Sequence, residues 1–172
     1  MMQIEATGAD RSRPDSTAKE APLTDALLDI SHLTAVGATV ILVVICVLLH
    51  YEVSSVLSGL MRRTSPTRRR RFLGLMFGLL GAHVVEIWLF GLTAWWLEAT
   101  TSASVAGATV VNGLDYIYLS AITYTTLGYG DVYPEGPLRF LMGTESLTGF
   151  MLITWSASLT FLEMQRHWND RH

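Results

Sequence analysis

Three long apolar blocks limit this 172-residue chain to very few architectures. The first runs from Leu33 to Met61 and is uninterrupted as far as Leu49, the second from Phe72 to Glu98, and the third from Leu138 to Glu163. A helix rises about 1.5 Å per residue, so about 20 residues cross the hydrocarbon core of a bilayer. Each block is long enough. Half of the residues are hydrophobic, and they gather in these blocks instead of spreading as in a water-soluble globule. The sequence therefore predicts an all-α integral membrane protein with three transmembrane helices. Twelve basic residues against fifteen acidic ones leave no recurring basic face, which argues against a nucleic-acid partner. The single cysteine, Cys46, lies inside an apolar block. It can form neither an internal disulfide nor a cysteine metal site, and reads as a small hydrophobe facing lipid or helix.

Orientation comes from one loop. "RRTSPTRRRR", residues 62–71, carries six of the twelve basic residues, with Pro66 as a helix breaker. So short an arginine-rich loop stays in the cytoplasm. The N-terminus is then outside, the second block leads outward, and the third returns to a cytoplasmic C-terminus. Trp95 and Trp96 mark the outer interface, where amphipathic rings settle. A voltage sensor would space arginines every third residue within an apolar helix. Here they are adjacent, so Arg62, Arg63, Arg68, Arg69, Arg70 and Arg71 read as a topology anchor that touches anionic lipid. Residues 1–30 are polar, lack the pattern of a signal peptide, and read as a mostly disordered tail with a short amphipathic helix near Leu23 to Ile30. Residues 31–61 are an additional span in front of the other two. Residues 164–172 read as a short cytoplasmic tail, too small for a ligand-binding domain.

Between the second and third blocks lies "NGLDYIYLSAITYTTLGYGDVYP", Asn112 to Pro134. Its apolar part, Tyr116 to Thr126, has about eleven residues, too few to cross as a helix yet too hydrophobic for an ordinary loop. A re-entrant segment fits, with a helix over 112–125. Asn112 caps its start, Asp115 complements the positive helix end, and the negative end points inward. Irregular backbone at membrane depth is tolerated only where protein buries it or where it lines water. Residues 126–130 should therefore line something wet. Pro137 suits the first turn of the last span, 137–163, where its missing N–H is not needed.

"TTLGYGD", Thr125 to Asp131, resembles the signature filter of potassium channels, usually Thr-Val-Gly-Tyr-Gly-Asp. Its setting strengthens the match: a short dipping helix precedes it, and a span lies on either side. The resemblance covers residues 72–163, with the outer helix at 72–98, and the whole is similar to a small prokaryotic pore-only potassium channel with one extra span. It implies a homotetramer, because one chain supplies one filter strand, and passive potassium conduction down its gradient. It also implies that the carbonyls of Thr126, Leu127, Gly128 and Tyr129 hold potassium ions, with the Thr126 hydroxyl as the innermost ring. The physics is consistent: carbonyl oxygens replace the ion's water, and successive carbonyls facing one way need partly left-handed backbone, which Gly128 and Gly130 tolerate. The Tyr129 ring is expected to pack outward against pore-helix aromatics.

Two positions depart from the family pattern. Leu127 replaces the usual valine; because backbone reads the ion, potassium selectivity is expected to survive. Where some members carry a glutamate behind the filter this chain has Ile122, and where a tryptophan often bonds the aspartate it has Tyr118, able to donate a similar bond to Asp131. Thr125, Tyr118 and Asp131 thus support the filter, and Asp131 can also concentrate cations at the mouth. In the last span the resemblance places Gly149 as a hinge, with close helix packing as the other reading. Ile153 and Ala157 would face the cavity, and Phe161 an inner constriction.

Ionisable residues at membrane depth are functional candidates. His83 and Glu86 lie one turn apart in the second block, His50 and Glu52 low in the first, and Glu145 in the third. One reading is a metal site, though a di-metal bundle needs more such pairs. A second is proton sensing by Glu145 near the foot of the filter. The plainest is interhelical hydrogen bonding that fixes how the first span docks. No catalysis and no organic cofactor are expected. A weakly selective cation channel, a non-conducting regulatory subunit and a membrane metalloenzyme remain as alternatives, and a bacterial inner membrane is the expected location.

Overall fold

The computed structural model describes residues 30–63, 68–107 and 112–169. Four helices dominate: α1 (Ile30–Arg63), α2 (Arg68–Thr100), α3 (Gly113–Tyr124) and α4 (Leu138–Asn169). Three of them, α1, α2 and α4, are long and apolar enough to cross a membrane, over Ile30–Leu60, Arg70–Thr100 and Leu138–Gln165. The protein is thus an all-α membrane protein, as the three blocks predict. At 12 residues α3 cannot span, and it sits as a wedge between α2 and α4. The first helix docks on the same two partners, outside the wedge.

One buried cluster joins all four helices. Phe90 and Leu97 of α2, Leu119 and Tyr124 of α3, Leu138 and Leu141 of α4, and Cys46 of α1 are all fully enclosed. Apolar residues such as Ile41, Leu48, Phe77 and Leu80 remain exposed. This is the arrangement expected when the solvent around the bundle is itself apolar, so that burial is decided by fit and not by hydropathy. Gly149 shows such fit. A Cβ there would overlap the Tyr124 carbonyl oxygen, so only glycine lets α4 approach the end of α3 this closely.

The structure corrects several boundaries. The basic segment is mostly helix: Arg62 and Arg63 end α1, and Arg68 to Arg71 begin α2, which starts four residues before Phe72. Arg71 pairs with Glu163 of α4 at 3.0 Å, so its charge is engaged by protein. The last helix runs on to Asn169, so most of the segment read as a tail is helical. The polar N-terminal segment, with its expected short helix, lies outside the described residues except for Ile30. Two short strands were not foreseen. β1 (Ser104–Ala106) pairs antiparallel with β2 (Tyr133–Glu135), in the register Ser104 to Glu135 and Ala106 to Tyr133. They tie the segment after α2 to the segment after the glycine-rich loop, and so brace that loop from outside.

Candidate functional site

The re-entrant helix begins with a complete capping box. The Asn112 side chain accepts from the Leu114 amide at 3.0 Å, and the Asp115 carboxylate accepts from the Asn112 amide at 2.7 Å. The helix ends at Tyr124, with Thr125 as C-cap. Both ends lie within one residue of the sequence reading.

Beyond Thr125 the backbone alternates. Thr126, Gly128 and Gly130 have φ of 59°, 54° and 79°, while no positive φ falls on Leu127 or Tyr129. Every second residue is left-handed, which turns successive peptide planes to the same side. The glycines take this conformation freely, whereas at Thr126 it costs about 1–3 kcal/mol. The amides point back to the helix: Thr126 N–H donates to Thr123 at 2.9 Å, and Leu127 and Gly128 both donate to the Ile122 carbonyl, at 2.8 and 3.0 Å. Among the described residues, no hydrogen bond engages the carbonyls of Thr126, Leu127, Gly128 or Tyr129. The result is a ladder of four acceptors, fixed from behind by donors, at the C-terminal end of a helix dipole.

At the mouth, the Tyr118 hydroxyl donates to Asp131 Oδ2 at 2.9 Å, as the spacing of the two residues predicts. This bond pushes the Tyr118 hydroxyl pKa above its ordinary value, because the ionised phenol would face the carboxylate. The Tyr129 ring is 69% exposed in the single chain and, among the described residues, packs against no aromatic ring of α3. Residues 125–131 are all exposed in a single chain.

The gating candidates separate into two groups. Ile153, Ala157 and Phe161 share an exposed side of α4, the last two lining a cleft of about 460 Å³ shared with α2. Glu145 is not with them. It is fully buried and accepts a hydrogen bond from Ser120, midway along α3, so it lies behind the re-entrant helix and not at the foot of the loop. Gly149 also faces α3, which favours the packing reading of that glycine.

Directly behind Tyr124 the helices assemble a polar cluster. His50 Nδ1 lies 3.0 Å from Glu86 Oε1, and His83 Nδ1 lies 3.2 Å from Glu86 Oε2. The Tyr124 hydroxyl donates to Glu86 Oε2 and lies 2.9 Å from His83 Nδ1. Both imidazole Nε2 atoms meet the Ser156 hydroxyl, at 3.0 Å from His83 and 3.1 Å from His50. His50 and Glu86 are completely buried. The cluster draws on α1, α2, α3 and α4, so interhelical hydrogen bonding does fix the first span, and Glu86 is its hub. Glu52, by contrast, is exposed and takes no part. The sequence reading missed Tyr124 and Ser156. The signal available was a polar residue within an apolar stretch, which many membrane helices carry without any partner in common.

Three spans around a short re-entrant helix, with an alternating left-handed loop at its end, define a pore-loop membrane protein. Comparison with protein families agrees. Residues 82–166 match the family described as ion channel, so this segment belongs to the ion-channel pore-domain family. The match takes in more than half of α2, all of α3, the loop and nearly all of α4, and leaves α1 outside. No curated protein and no solved structure matches the chain.

Proposed function

We propose that four copies of this chain surround a central pore and conduct potassium selectively. The observation that carries the reading is the set of unengaged carbonyls from Thr126 to Tyr129, on a backbone held by its own amides to the helix behind it. Rings of such carbonyls replace the hydration shell of a potassium ion, and the side chain at Leu127 does not enter that exchange. One chain supplies one wall. The exposure of residues 125–131 in the isolated chain supports closure by neighbours, and a neighbouring re-entrant helix is the natural partner for the Tyr129 ring. The match of residues 82–166 to an ion-channel family supports passive ion conduction as the role of this segment.

Arg71 is engaged with Glu163, so the surface that meets anionic lipid centres on the exposed Arg70 and its basic neighbours. With those charges in the cytoplasm of a bacterial inner membrane, the glycine-rich loop opens outward.

The test is the reversal potential of purified protein in lipid bilayers with unequal potassium and sodium. Reversal near the potassium equilibrium potential is expected. Reversal near zero would instead make this a weakly selective cation channel. Stable tetramers without current at any pH would point to a non-conducting subunit.

A further inference from the structure

The cluster behind Tyr124 holds more acceptors than donors. In the metal-binding protonation state, with both imidazoles neutral and Glu86 ionised, the two rings, Ser156 and Tyr124 each bring one proton and Glu86 brings none. Three atoms converge at one corner: His83 Nδ1, the Tyr124 oxygen and Glu86 Oε2. With the ring proton of His83 on Nε2, the Tyr124 proton can serve only one of the other two. A cation at this corner would satisfy all three.

The orientation of the rings is suited to a metal ion. Both Nδ1 atoms face the Glu86 carboxylate, and both Nε2 atoms face one hydroxyl. The Ser156 oxygen has two lone pairs and can accept from both Nε2–H groups. That choice of tautomer leaves both Nδ1 lone pairs aimed at Glu86. A hydrogen-bond partner on the far nitrogen is the usual device that orients a metal-binding histidine. The ligand atoms of His50, His83 and Glu86 all lie within 4.8 Å of one another. Donors around a tetrahedral zinc ion are separated by roughly 3.3 Å; His50 and His83 approach the two different oxygens of Glu86 at 3.0 and 3.2 Å, and the closer contact of Tyr124 with Glu86 has to lengthen for an ion to enter.

We infer that His50, His83 and Glu86 form a binding site for a divalent transition-metal ion of the zinc type, with Tyr124 as the fourth donor. Two imidazoles and a carboxylate select such an ion over potassium or magnesium, which prefer all-oxygen cages. Access exists from one side: His83 retains 14% of its side-chain exposure and lines the cleft between α2 and α4. A bound ion would join the first span to the pore domain immediately behind the glycine-rich loop. The inference does not depend on what the pore conducts.

The test uses the full-length protein in detergent, stripped by chelator and titrated with zinc chloride in a calorimeter. One zinc per subunit is expected, with loss of binding in Glu86→Gln and His83→Gln. Ser156→Ala keeps every ligand but removes the hydroxyl that orients both rings, and should weaken binding about 10–100-fold. Zinc X-ray absorption on wild-type protein guards against variants that fail to fold; it should give a first shell of nitrogen and oxygen without sulfur. Failure of wild type to bind, sulfur in the shell, or unchanged affinity in folded Glu86→Gln would each overturn the site.

Discussion

The glycine-rich loop and the polar cluster behind it meet at the end of α3, yet they are built on opposite principles. The loop presents backbone, takes left-handed conformations at alternate residues, and is exposed in a single chain. The cluster presents side chains, is almost wholly enclosed, and links four helices. The loop is local: residues 122–130 contain both the acceptors and the amides that fix them. The cluster is non-local, drawing on positions 50, 83, 86, 124 and 156. The two regions therefore divide the labour. The function proposed for the loop would rest on φ and ψ, which the side chain at Leu127 need not disturb. Docking of the first span rests on a few polar atoms that no backbone preference would protect.

The sharpest way to break the comparison is Gly128→Ala. No atom of the same chain crowds a Cβ at this position, so the effect expected is conformational: left-handed backbone costs an L-residue about 1–2 kcal/mol. Under the proposed function, potassium-driven rubidium uptake into liposomes should fall at least about 100-fold, because the ladder geometry of the proposed filter is lost. Assembly, measured by native mass spectrometry, should be unchanged. Glu86→Ala should do the reverse. It removes the shared partner of His50, His83 and Tyr124, three bonds worth about 1 kcal/mol each, so thermal stability in detergent should drop by about 3 kcal/mol while the reversal potential stays put. A shifted reversal potential in Glu86→Ala would mean that the two regions act as one unit.

Gly149→Ala probes the seam between them. Its Cβ would press on the Tyr124 carbonyl, so α4 must move away from α3 at a cost of about 1–3 kcal/mol, read as a lower unfolding temperature. The smallest effect is expected at the mouth. The Tyr118 to Asp131 bond needs a protonated phenol, and this bond raises the pKa of that phenol. Its support is therefore complete below the ordinary tyrosine value of about 10 and is lost as pH rises through the higher folded value. Sustained current should decline at strongly alkaline pH in wild type, and Tyr118→Phe should show the weakened behaviour already at neutral pH. Currents identical in the two proteins at every pH would show that the bond contributes nothing to conduction.

The same contrast explains how legible each region was. The capped helix and the left-handed glycines could be read because capping and φ preference act within a few residues of Asn112, Asp115, Gly128 and Gly130. Thr126 could not, since its positive φ is imposed by amides committed to Thr123 and Ile122, not by its own preference. Nor could the arginine segment be divided correctly: Pro66 marks a break, but the helices continue on both sides of it.

The sequence by itself determined the three spans, the depth limit of the re-entrant helix and the left-handed glycines of the loop, because hydropathy, length and local backbone preference are properties of short segments. Only the tertiary structure decided that His50, His83 and Glu86 share one site with Tyr124 and Ser156, and that Glu145 belongs behind the helix. In a bilayer the hydrophobic effect drives spans into lipid but says little about which faces then meet. That choice falls to close packing and to polar atoms that must find one another across helices distant in sequence.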